Sequence, residues 1–285
     1  MVPFPLPPVL TEPLIRRALE EDLGDAGDLT TLATVPPGRQ AVAEIAARRP
    51  GRVAGAEVAA RVFRTVDPEL TIEAHAADGT SVAAGAAVMT VRGSARSLLT
   101  AERAALNLLG HLSGVATATA ALVRAAQGTR ARIACTRKTL PGLRAVQKHA
   151  VLCGGGYNHR FGLHDAAMIK DNHVVAAGGI GPALAAARAA LGHTVKIEVE
   201  VDRLDQLEEA LSGGADIVLL DNMRADQLRE AVTATRGRAM LEASGNIAED
   251  TVRAVAETGV DVISSGWITH SAPNLDVGLD LRLEG

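Results

Sequence analysis

The chain has 285 residues, enough for one large domain or two smaller ones with a buried core. Hydrophobic residues make up 47% of it but aromatic residues only 2%, so the core consists mainly of aliphatic side chains, which favours parallel strands covered by helices. A formal net charge of −4 excludes a global positive field of the kind that binds nucleic acid or an anionic membrane.

The sequence indicates a cytoplasmic protein. No segment reaches the roughly 18 apolar residues of a membrane span, and the first residues lack the basic and apolar regions of a signal peptide. Cys135 and Cys153 form no metal or redox motif. We therefore expect two buried, free thiols in a reducing compartment.

The first 126 residues predict a mixed α/β domain. The first dozen residues are rich in proline and predict an extended arm, followed by a helix over residues 13–23. Short strands with one helix among them come next, over residues 41–48, 56–66 (the helix), 70–74 and 87–91. A longer helix is predicted over residues 98–126, with an interruption at Ser113 and Gly114.

After Arg130 the pattern changes to strands that alternate with helices. Six strands are predicted, over residues 132–136, 166–170, 195–201, 216–221, 239–244 and 261–265. Repeated strand–helix units form parallel sheets with right-handed crossovers. Because a full barrel needs eight strands, we expect an incomplete or open α/β barrel, and a doubly wound sheet is the alternative.

Each of these strands ends in polar residues, which predicts an active site. The strand ends are Thr136-Arg137-Lys138, Lys170, Glu200, Asp221, Ser244-Gly245-Asn246 and Ser265-Gly266. The carboxyl ends of parallel strands open on one face, where such folds place their catalytic residues. The two Ser-Gly ends would let backbone N–H groups approach an anion closely.

The segment from residue 130 to residue 170 carries eight basic residues against one acid, Asp165, in a chain that is acidic overall. Arg144 and Lys148, four residues apart, are expected on a solvated helix face. Arg137, Lys138 and Lys170 follow apolar strands, where an unpaired cation is costly. Bound carboxylates or phosphates would offset that cost, so the segment predicts a multiply anionic substrate.

Acidic residues complement this segment. Glu198 and Glu200 alternate with valines and so share one face of their strand. Glu200 and Asp221 could bind sugar hydroxyls, a divalent metal or a developing cation. A structural salt bridge to Lys170 is the alternative for either acid. The Gly-rich segment 154–156 fits neither a P-loop nor a dinucleotide fingerprint, and His159 and His164 lack zinc-site spacing.

Several motifs together resemble the quinolinate phosphoribosyltransferases. They are TRKT (136–139), GGGYNHR (154–160), IKDNH (169–173), EDLG (21–24), DLTT (28–31), EVEV (198–201), LDN (220–222) and a helix with Arg103, Asn107 and Ser113-Gly114. The similarity covers nearly the whole chain. It implies a pentosyl glycosyltransferase of NAD (pyridine nucleotide) biosynthesis, which joins quinolinate to 5-phosphoribosyl 1-diphosphate and releases nicotinate mononucleotide, diphosphate and CO2.

The resemblance also implies the architecture. An α/β sandwich domain would span residues 1–112, an incomplete parallel α/β barrel residues 113–269, and the tail 270–285 would pack back on the sandwich. It implies Mg²⁺ and no organic cofactor, and a homodimer in which each chain contributes to its neighbour's active site.

Roles implied by the resemblance divide the site into four groups. Arg137, His159 and Arg160, with Arg103 from the neighbouring subunit, would surround the quinolinate dicarboxylate, and Thr136 is a further substrate-binding residue. Lys138 and Lys170 would face carboxylate and diphosphate, and Glu200 and Asp221 the ribose hydroxyls and the metal. The catalytic set would be Lys138, Lys170, Glu200 and Asp221. Ser244, Gly245 and Asn246 with Ser265, Gly266 and Trp267 would bind the 5-phosphate; Trp267 is bulkier than the family's small residue, so only its backbone is carried over.

Two alternatives stay open. A nicotinate-using phosphoribosyltransferase would bind one carboxylate, and the arginine surplus argues for two. A non-catalytic relative that binds an anion would not need both the lysines and the acids. The common nucleotide-loop phosphoribosyltransferases do not fit, because Asp221-Asn222-Met223 replaces their paired acids and Gly-Thr run.

Overall fold

A computed structural model of the chain describes residues 5–284, which form two compact units. The first contains the described residues up to Ala120, then Leu140–Gly155, and the described residues from Ser271 onwards. The second contains Ala121–Thr139 and Gly156–His270. The first unit therefore takes in a segment, Leu140–Gly155, from the middle of the region predicted as the barrel.

The helices and strands follow in chain order. The elements up to residue 153 are α1 (Pro8–Leu23), α2 (Leu29–Thr34), β1 (Gln40–Ala47), β2 (Gly51–Arg52), α3 (Ala56–Val66), β3 (Thr71–Ala74), β4 (Ser81–Val82), β5 (Ala87–Ser94), α4 (Ala95–Ala125), β6 (Arg132–Ala134) and α5 (Arg144–Cys153). The remaining elements are β7 (Ala167–Ile169), α6 (Asp171–Ala177), α7 (Ile180–Ala190), β8 (Ile197–Val201), α8 (Leu204–Ser212), β9 (Ile217–Asp221), α9 (Ala225–Thr235), β10 (Met240–Ser244), α10 (Val252–Ala256), β11 (Val262–Ser264), α11 (Trp267–His270) and β12 (Val277–Leu283).

The first unit is built on an antiparallel sheet with the strand order β12-β1-β5-β3. The last strand, β12, pairs along the whole of β1, with Ala41 opposite Leu283 and Ala47 opposite Val277. Alternate residues of β1, namely Ala41, Ala43 and Ile45, are fully buried, as expected of a strand that covers a core on one face. The C-terminal tail is thus part of the N-terminal sheet.

The extended arm predicted for the first dozen residues is wrong from Pro8 onwards, and its first four residues lie outside the described part of the chain. Helix α1 begins at Pro8, where the missing N–H costs nothing because the first turn of a helix has no acceptor for it. Thr11, Ile15 and Leu19 are buried along one face of α1, and this burial stabilises a helix whose proline content argued against it.

Helix α4 runs unbroken for 31 residues, so the interruption predicted at Ser113 and Gly114 is wrong. The Ser113 hydroxyl accepts a hydrogen bond from the Ala54 amide (3.1 Å) and donates one to the Ala54 carbonyl (3.2 Å). A Cβ on Gly114 would lie 2.2 Å from the Pro273 carbonyl oxygen, so this glycine permits a close backbone approach. Ser113 and Gly114 therefore contribute to packing against other segments of the chain and do not interrupt the helix.

Helix α4 is also long and apolar enough to cross a membrane by length and composition, contrary to the expectation that no such segment exists. Two-thirds (67%) of the relevant window is buried inside the protein, which is the behaviour of a core helix. Both cysteines are free and buried, as predicted.

The second unit contains a six-stranded parallel sheet with the strand order β6-β11-β10-β9-β8-β7. All six predicted strands are confirmed, within three residues at each end. Neighbouring strands follow one another along the chain except that the first strand, β6, pairs with the last, β11. This is the order of a barrel that opens between β6 and β7, so the incomplete barrel is correct and the doubly wound alternative is wrong.

The solvated helix face predicted for Arg144 and Lys148 is wrong for the lysine. Lys148 is 1% exposed, and its neighbours Gln147 and His149 on α5 are buried too. A spacing of four residues shows that two side chains share a helix face but not that this face meets solvent. Here α5 is buried within the first unit.

Candidate active site

A cavity of about 550 Å³ lies at the carboxyl ends of the parallel strands in the second unit. The predicted residues that line it are Thr136, Arg137, Lys138, His159, Arg160, Lys170, Glu200, Asp221, Ser244, Gly245 and Asn246. They come from the ends of β6, β7, β8, β9 and β10 and from the loop before β7. The strand geometry therefore brings these residues together, as the alternation of strands and helices led us to expect.

Two arginines form the most basic part of the cavity. Arg160 donates to the carbonyl oxygen of Ala166 (3.1 Å), which fixes one branch of its guanidinium group. Burial and the nearby charge of Arg137 lower the pKa of Arg160, while Glu198 and Asp165 oppose this shift. Two partly desolvated cations side by side repel each other, and a bound dianion would remove that cost.

Lys138 is held in place at its backbone, which leaves its side chain available. Its amide donates to the Thr136 hydroxyl (2.9 Å), and its carbonyl oxygen accepts from the Thr269 hydroxyl (2.7 Å). A Cβ on Gly266 would lie 2.8 Å from Cδ of Lys138, so the start of α11 lies directly against this side chain.

Lys170 forms an ion pair with Glu200, so the salt bridge that the sequence left as an alternative is present. The Lys170 side chain is 43% exposed and that of Glu200 is 18% exposed. Lys170 precedes α6, and its amide donates to Nδ1 of His173 (3.0 Å). A half-exposed pair of this kind has a small net energy, so an anionic ligand could compete with Glu200 for the ammonium group.

Asp221 is oriented by a residue that the sequence analysis did not assign to the site. Asn222 lines the cavity, donates from Nδ2 to Asp221 Oδ2 (2.8 Å), and accepts from Nδ2 of Asn246 (3.4 Å). Both asparagines have positive φ angles, 53° and 51°. Gly245 has φ 100°, and a Cβ there would lie 2.1 Å from Oδ1 of Asn222. The loops after β9 and β10 are therefore interlocked.

The other predicted anion-binding residues lie after β11 at the same edge. The Ser265 hydroxyl donates to the Ile247 carbonyl (3.1 Å), and Trp267 begins the short helix α11. Arg103 lies on α4 in the first unit, and its side chain is 65% exposed. All the ionisable residues predicted for the barrel line the cavity, whereas Arg103 does not.

Two residues that line the cavity, His159 and Glu242, form a cluster with the buried Glu198, which does not line this cavity; we call these three residues the floor cluster. Nε2 of His159 lies 3.0 Å from Oε2 of Glu198 and 3.6 Å from Oε1 of Glu242. Burial, and then the charge of Glu198, raise the pKa of Glu242 to about 7. One ligand atom of each residue lies within 4.8 Å of the others, so distance alone would allow a metal ion.

Glu242 is a residue that sequence reasoning missed. It stands in the middle of an otherwise apolar strand, two residues before Ser244, and so lies on the same face of β10. Because Ser244 was predicted to be in the site, its position on the same face as Glu242 was the signal from which this acid could have been predicted. The residues predicted for the site lie at the ends of the strands, whereas this acid lies two residues before the end of β10.

A second cavity of about 600 Å³ opens at the amino ends of the same strands. Its lining includes Arg132, Lys196 and Asp261, and it shares His159, Arg160 and Glu242 with the first cavity. The two cavities therefore meet at the floor cluster.

The chain matches two family models, the N-terminal domain of quinolinate phosphoribosyl transferase over residues 28–113 and its C-terminal domain over residues 115–280. It is 47% identical to the nicotinate-nucleotide pyrophosphorylase [carboxylating] of Mycobacterium leprae, over 94% of this chain and 95% of that protein. It is 42% identical to the probable enzyme of the same name from Bacillus subtilis, over 95% and 93% of the two chains.

Solved structures agree with these matches. The crystal structure of NadC from Streptococcus pyogenes is 42% identical and covers 99% of this chain and 100% of its own, with a TM-score of 0.95. Both halves of the chain thus match one family along nearly their full length. The chain belongs to the quinolinate phosphoribosyltransferase family.

Proposed function

We propose that this protein transfers the phosphoribosyl group of 5-phosphoribosyl 1-diphosphate to quinolinate and decarboxylates the product to nicotinate mononucleotide, a step of de novo NAD synthesis. The observation that carries the proposal is one cavity with four cations, Arg137, Lys138, Arg160 and Lys170, opposite two acids, Glu200 and Asp221. A site that only bound anions would have no use for the acids.

Quinolinate has two adjacent carboxylates, and the site offers two arginines for them. Arg137 and Arg160 both line the cavity, and guanidinium groups bind carboxylates through paired hydrogen bonds. Nicotinate has only one carboxylate and would leave one of these half-buried cations without a counter-charge. The geometry therefore favours the dicarboxylate.

The second substrate has two phosphate-bearing ends, and the cavity has matching groups for both. Lys138 and Lys170 would face the diphosphate, the latter by exchanging its partner Glu200 for a phosphate oxygen. The loop of Ser244, Gly245 and Asn246 would bind the 5-phosphate through backbone N–H groups, which its positive φ angles leave open to a ligand.

The acids would act on the ribose. As the C–O bond to diphosphate breaks, the anomeric carbon becomes cationic, and the carboxylates of Glu200 and Asp221 stabilise that charge. The ring nitrogen of quinolinate donates its electron pair to this carbon and becomes quaternary. The bond from C2 to the 2-carboxylate then breaks, its electron pair stays on C2 next to the positive nitrogen, CO2 leaves, and C2 takes up a proton from solvent. The protein's contribution is mainly positioning.

Mg²⁺ is part of the proposal, and the acids present would suit it. Glu200 and Asp221 offer carboxylate oxygens at the mouth of the cavity, the kind of ligand that this ion takes alongside phosphate oxygens and water. When bound, the ion would neutralise charge on the leaving diphosphate. Asn222 would orient Asp221 for this role.

We also propose a homodimer in which Arg103 of one chain reaches the active site of the other, in the cytoplasm. Support comes from the exposed side chain of Arg103 and from the family resemblance. Two inactive variants, Arg103→Ala and Lys138→Ala, test it. If the sites are shared, dissociating and mixing the two variants should restore up to about a quarter of the active sites. About half of the dimers that form are then heterodimers, and one of the two sites in each heterodimer receives both native residues. Activity that stays at the level of either variant alone contradicts the shared site.

The reaction itself is tested by incubating the purified protein with Mg²⁺, 5-phosphoribosyl 1-diphosphate, and either quinolinate or nicotinate. Nicotinate mononucleotide should form from quinolinate only. Product from nicotinate but not quinolinate would instead identify a nicotinate-using enzyme, and binding of both substrates without turnover would identify a non-catalytic relative.

A further inference from the structure

The floor cluster defines which nitrogen of His159 carries a proton. The backbone amide of Arg160 donates to Nδ1 of His159 (2.8 Å), so Nδ1 must offer a lone pair and cannot carry a hydrogen. Nε2 lies 3.0 Å from a carboxylate oxygen of Glu198, which can only accept. Nε2 therefore carries the hydrogen, and the ring in this geometry is the neutral Nε2–H tautomer.

This tautomer excludes two simpler roles. An imidazolium that binds a substrate carboxylate would need a proton on Nδ1, where the Arg160 amide donates instead. A metal bound at Nε2 would need that nitrogen to be free of hydrogen, and the hydrogen would again move to Nδ1. The same hydrogen bond opposes both roles, even though the three side chains are close enough to suit an ion.

The acids of the cluster are built into the barrel interior. Glu198 and Glu242 are 3% and 4% exposed and lie on β8 and β10, on either side of β9. One oxygen of each, Oε1, is buried without a hydrogen-bond partner among the described residues. Burying two carboxylates in this way is costly, so a structural role alone does not explain them. Glu242 borders both cavities and Glu198 the one at the amino ends.

Arg160 connects the cluster to the substrate. Its amide is held by His159, its guanidinium group by the Ala166 carbonyl, and its charge lies within reach of Glu198. This hydrogen bond couples the orientation of the imidazole ring to the position of the Arg160 backbone amide. The two acids can therefore influence Arg160, which we propose binds the dicarboxylate, through His159.

We propose that Glu198 and Glu242 are positioning residues: they hold His159 as its Nε2–H tautomer, and His159 in turn fixes Arg160 for quinolinate. Glu198 accepts the hydrogen bond from Nε2 of His159, and Oε1 of Glu242 lies 3.6 Å from the same nitrogen. His159 acts through Arg160 and not as a charged group on the substrate. This inference rests on the proposed function for the identity of the ligand, but the tautomer does not.

Nitrogen-15 NMR of the full-length, ligand-free protein at pH 8 tests the tautomer, with the His159 signals assigned by comparison with His159→Gln. We expect a protonated Nε2 and an unprotonated Nδ1. A proton on Nδ1, whether in the other tautomer or in an imidazolium, overturns the proposal. Because no substrate is present, this result is separate from any failure of quinolinate turnover.

Steady-state kinetics test whether Glu198 acts through His159 on Arg160. Glu198→Ala and His159→Ala should each raise KM for quinolinate by about tenfold or more, the effect of losing a charged hydrogen bond, and leave KM for 5-phosphoribosyl 1-diphosphate within about twofold. The double variant should be no worse than either single one. Glu198→Gln should recover much of the loss, because its amide oxygen still accepts from Nε2.

Glu208→Gln is the matched control, since Glu208 is an exposed acid on α8 that pairs with Arg238. It should change neither KM. Additive effects of Glu198→Ala and His159→Ala, or equal increases in both KM values, would show that the cluster does not act through His159 on quinolinate binding. If the alanine variants do not fold, the NMR result on the unmodified protein decides.

Discussion

Replacing Glu242 by glutamine should change how the stability of the protein depends on pH. The pKa of this buried carboxyl group is raised from 4.5 to about 7, chiefly by burial and then by Glu198. The folded chain therefore holds a proton that the unfolded chain releases between these values. Since one pKa unit corresponds to about 1.36 kcal/mol, ionising Glu242 costs the folded state about 3 kcal/mol.

Between pH 4.5 and pH 7 the folded chain binds more protons than the unfolded chain. The contribution of Glu242 is fully present below pH 4.5 and is lost as the pH rises through 7, so the free energy of unfolding falls across that window. Glutamine has the same shape and does not ionise. Relative to the natural protein, Glu242→Gln should therefore gain about 2–3 kcal/mol of stability between pH 5 and pH 8.

Urea unfolding at pH 5 and pH 8 measures the effect, with fluorescence from Trp267 as the signal. Trp267 is the single tryptophan and lies in the same unit as Glu242. Glu230→Gln, an exposed acid on α9, is the control and should follow the natural protein. Parallel pH curves for the natural protein and Glu242→Gln would refute the raised pKa and the buried acid pair from which it follows.

Three further substitutions test the site and the fold. Arg160→Ala should weaken quinolinate binding by about 1.5–3 kcal/mol in calorimetry, the value of charged hydrogen bonds, without affecting 5-phosphoribosyl 1-diphosphate. Gly245→Ala, whose Cβ would lie 2.1 Å from Asn222 Oδ1 at φ 100°, should raise KM for 5-phosphoribosyl 1-diphosphate about tenfold. Gly114→Ala, whose Cβ would lie 2.2 Å from the Pro273 carbonyl, should lower Tm by about 3–10 °C.

Matched controls exist for each. Arg229→Ala removes an exposed arginine on α9 and should leave quinolinate binding unchanged. Gly192→Ala adds a methyl group where nothing lies within 4 Å, so it should alter neither KM nor Tm by a comparable amount. Unchanged quinolinate binding by Arg160→Ala would show that this arginine does not bind quinolinate, and normal KM or Tm values for the glycine variants would contradict the close contacts.

The strands and the edge of the site were predictable because both depend on local pattern. Apolar runs that end in Lys170, Asp221 or Ser244 identify strands, and parallel pairing then brings their ends together without further information. The sequence could not show which polar groups lie below that edge. Glu242 has apolar neighbours in sequence, and its partners His159 and Glu198 come from distant parts of the chain.

The errors have a common physical origin, since each concerns packing between distant segments. Gly114 looks like a helix breaker but provides the close approach of Pro273, and Lys148 looks like a surface cation but is buried. Pro8 looks like part of an extended arm, yet it begins a helix that is stabilised by burial of Ile15 and Leu19. Local propensity is a weak predictor wherever tertiary burial decides the outcome.

The fate of the 2-carboxylate of quinolinate is a direct test of the proposed phosphoribosyl transfer with decarboxylation. Quinolinate labelled at that carbon would be turned over with 5-phosphoribosyl 1-diphosphate and Mg²⁺, and the released label measured against diphosphate. We expect one labelled CO2 for each diphosphate, with unlabelled nicotinate mononucleotide as the other product. Diphosphate release without labelled CO2, or no reaction with quinolinate at all, would contradict it.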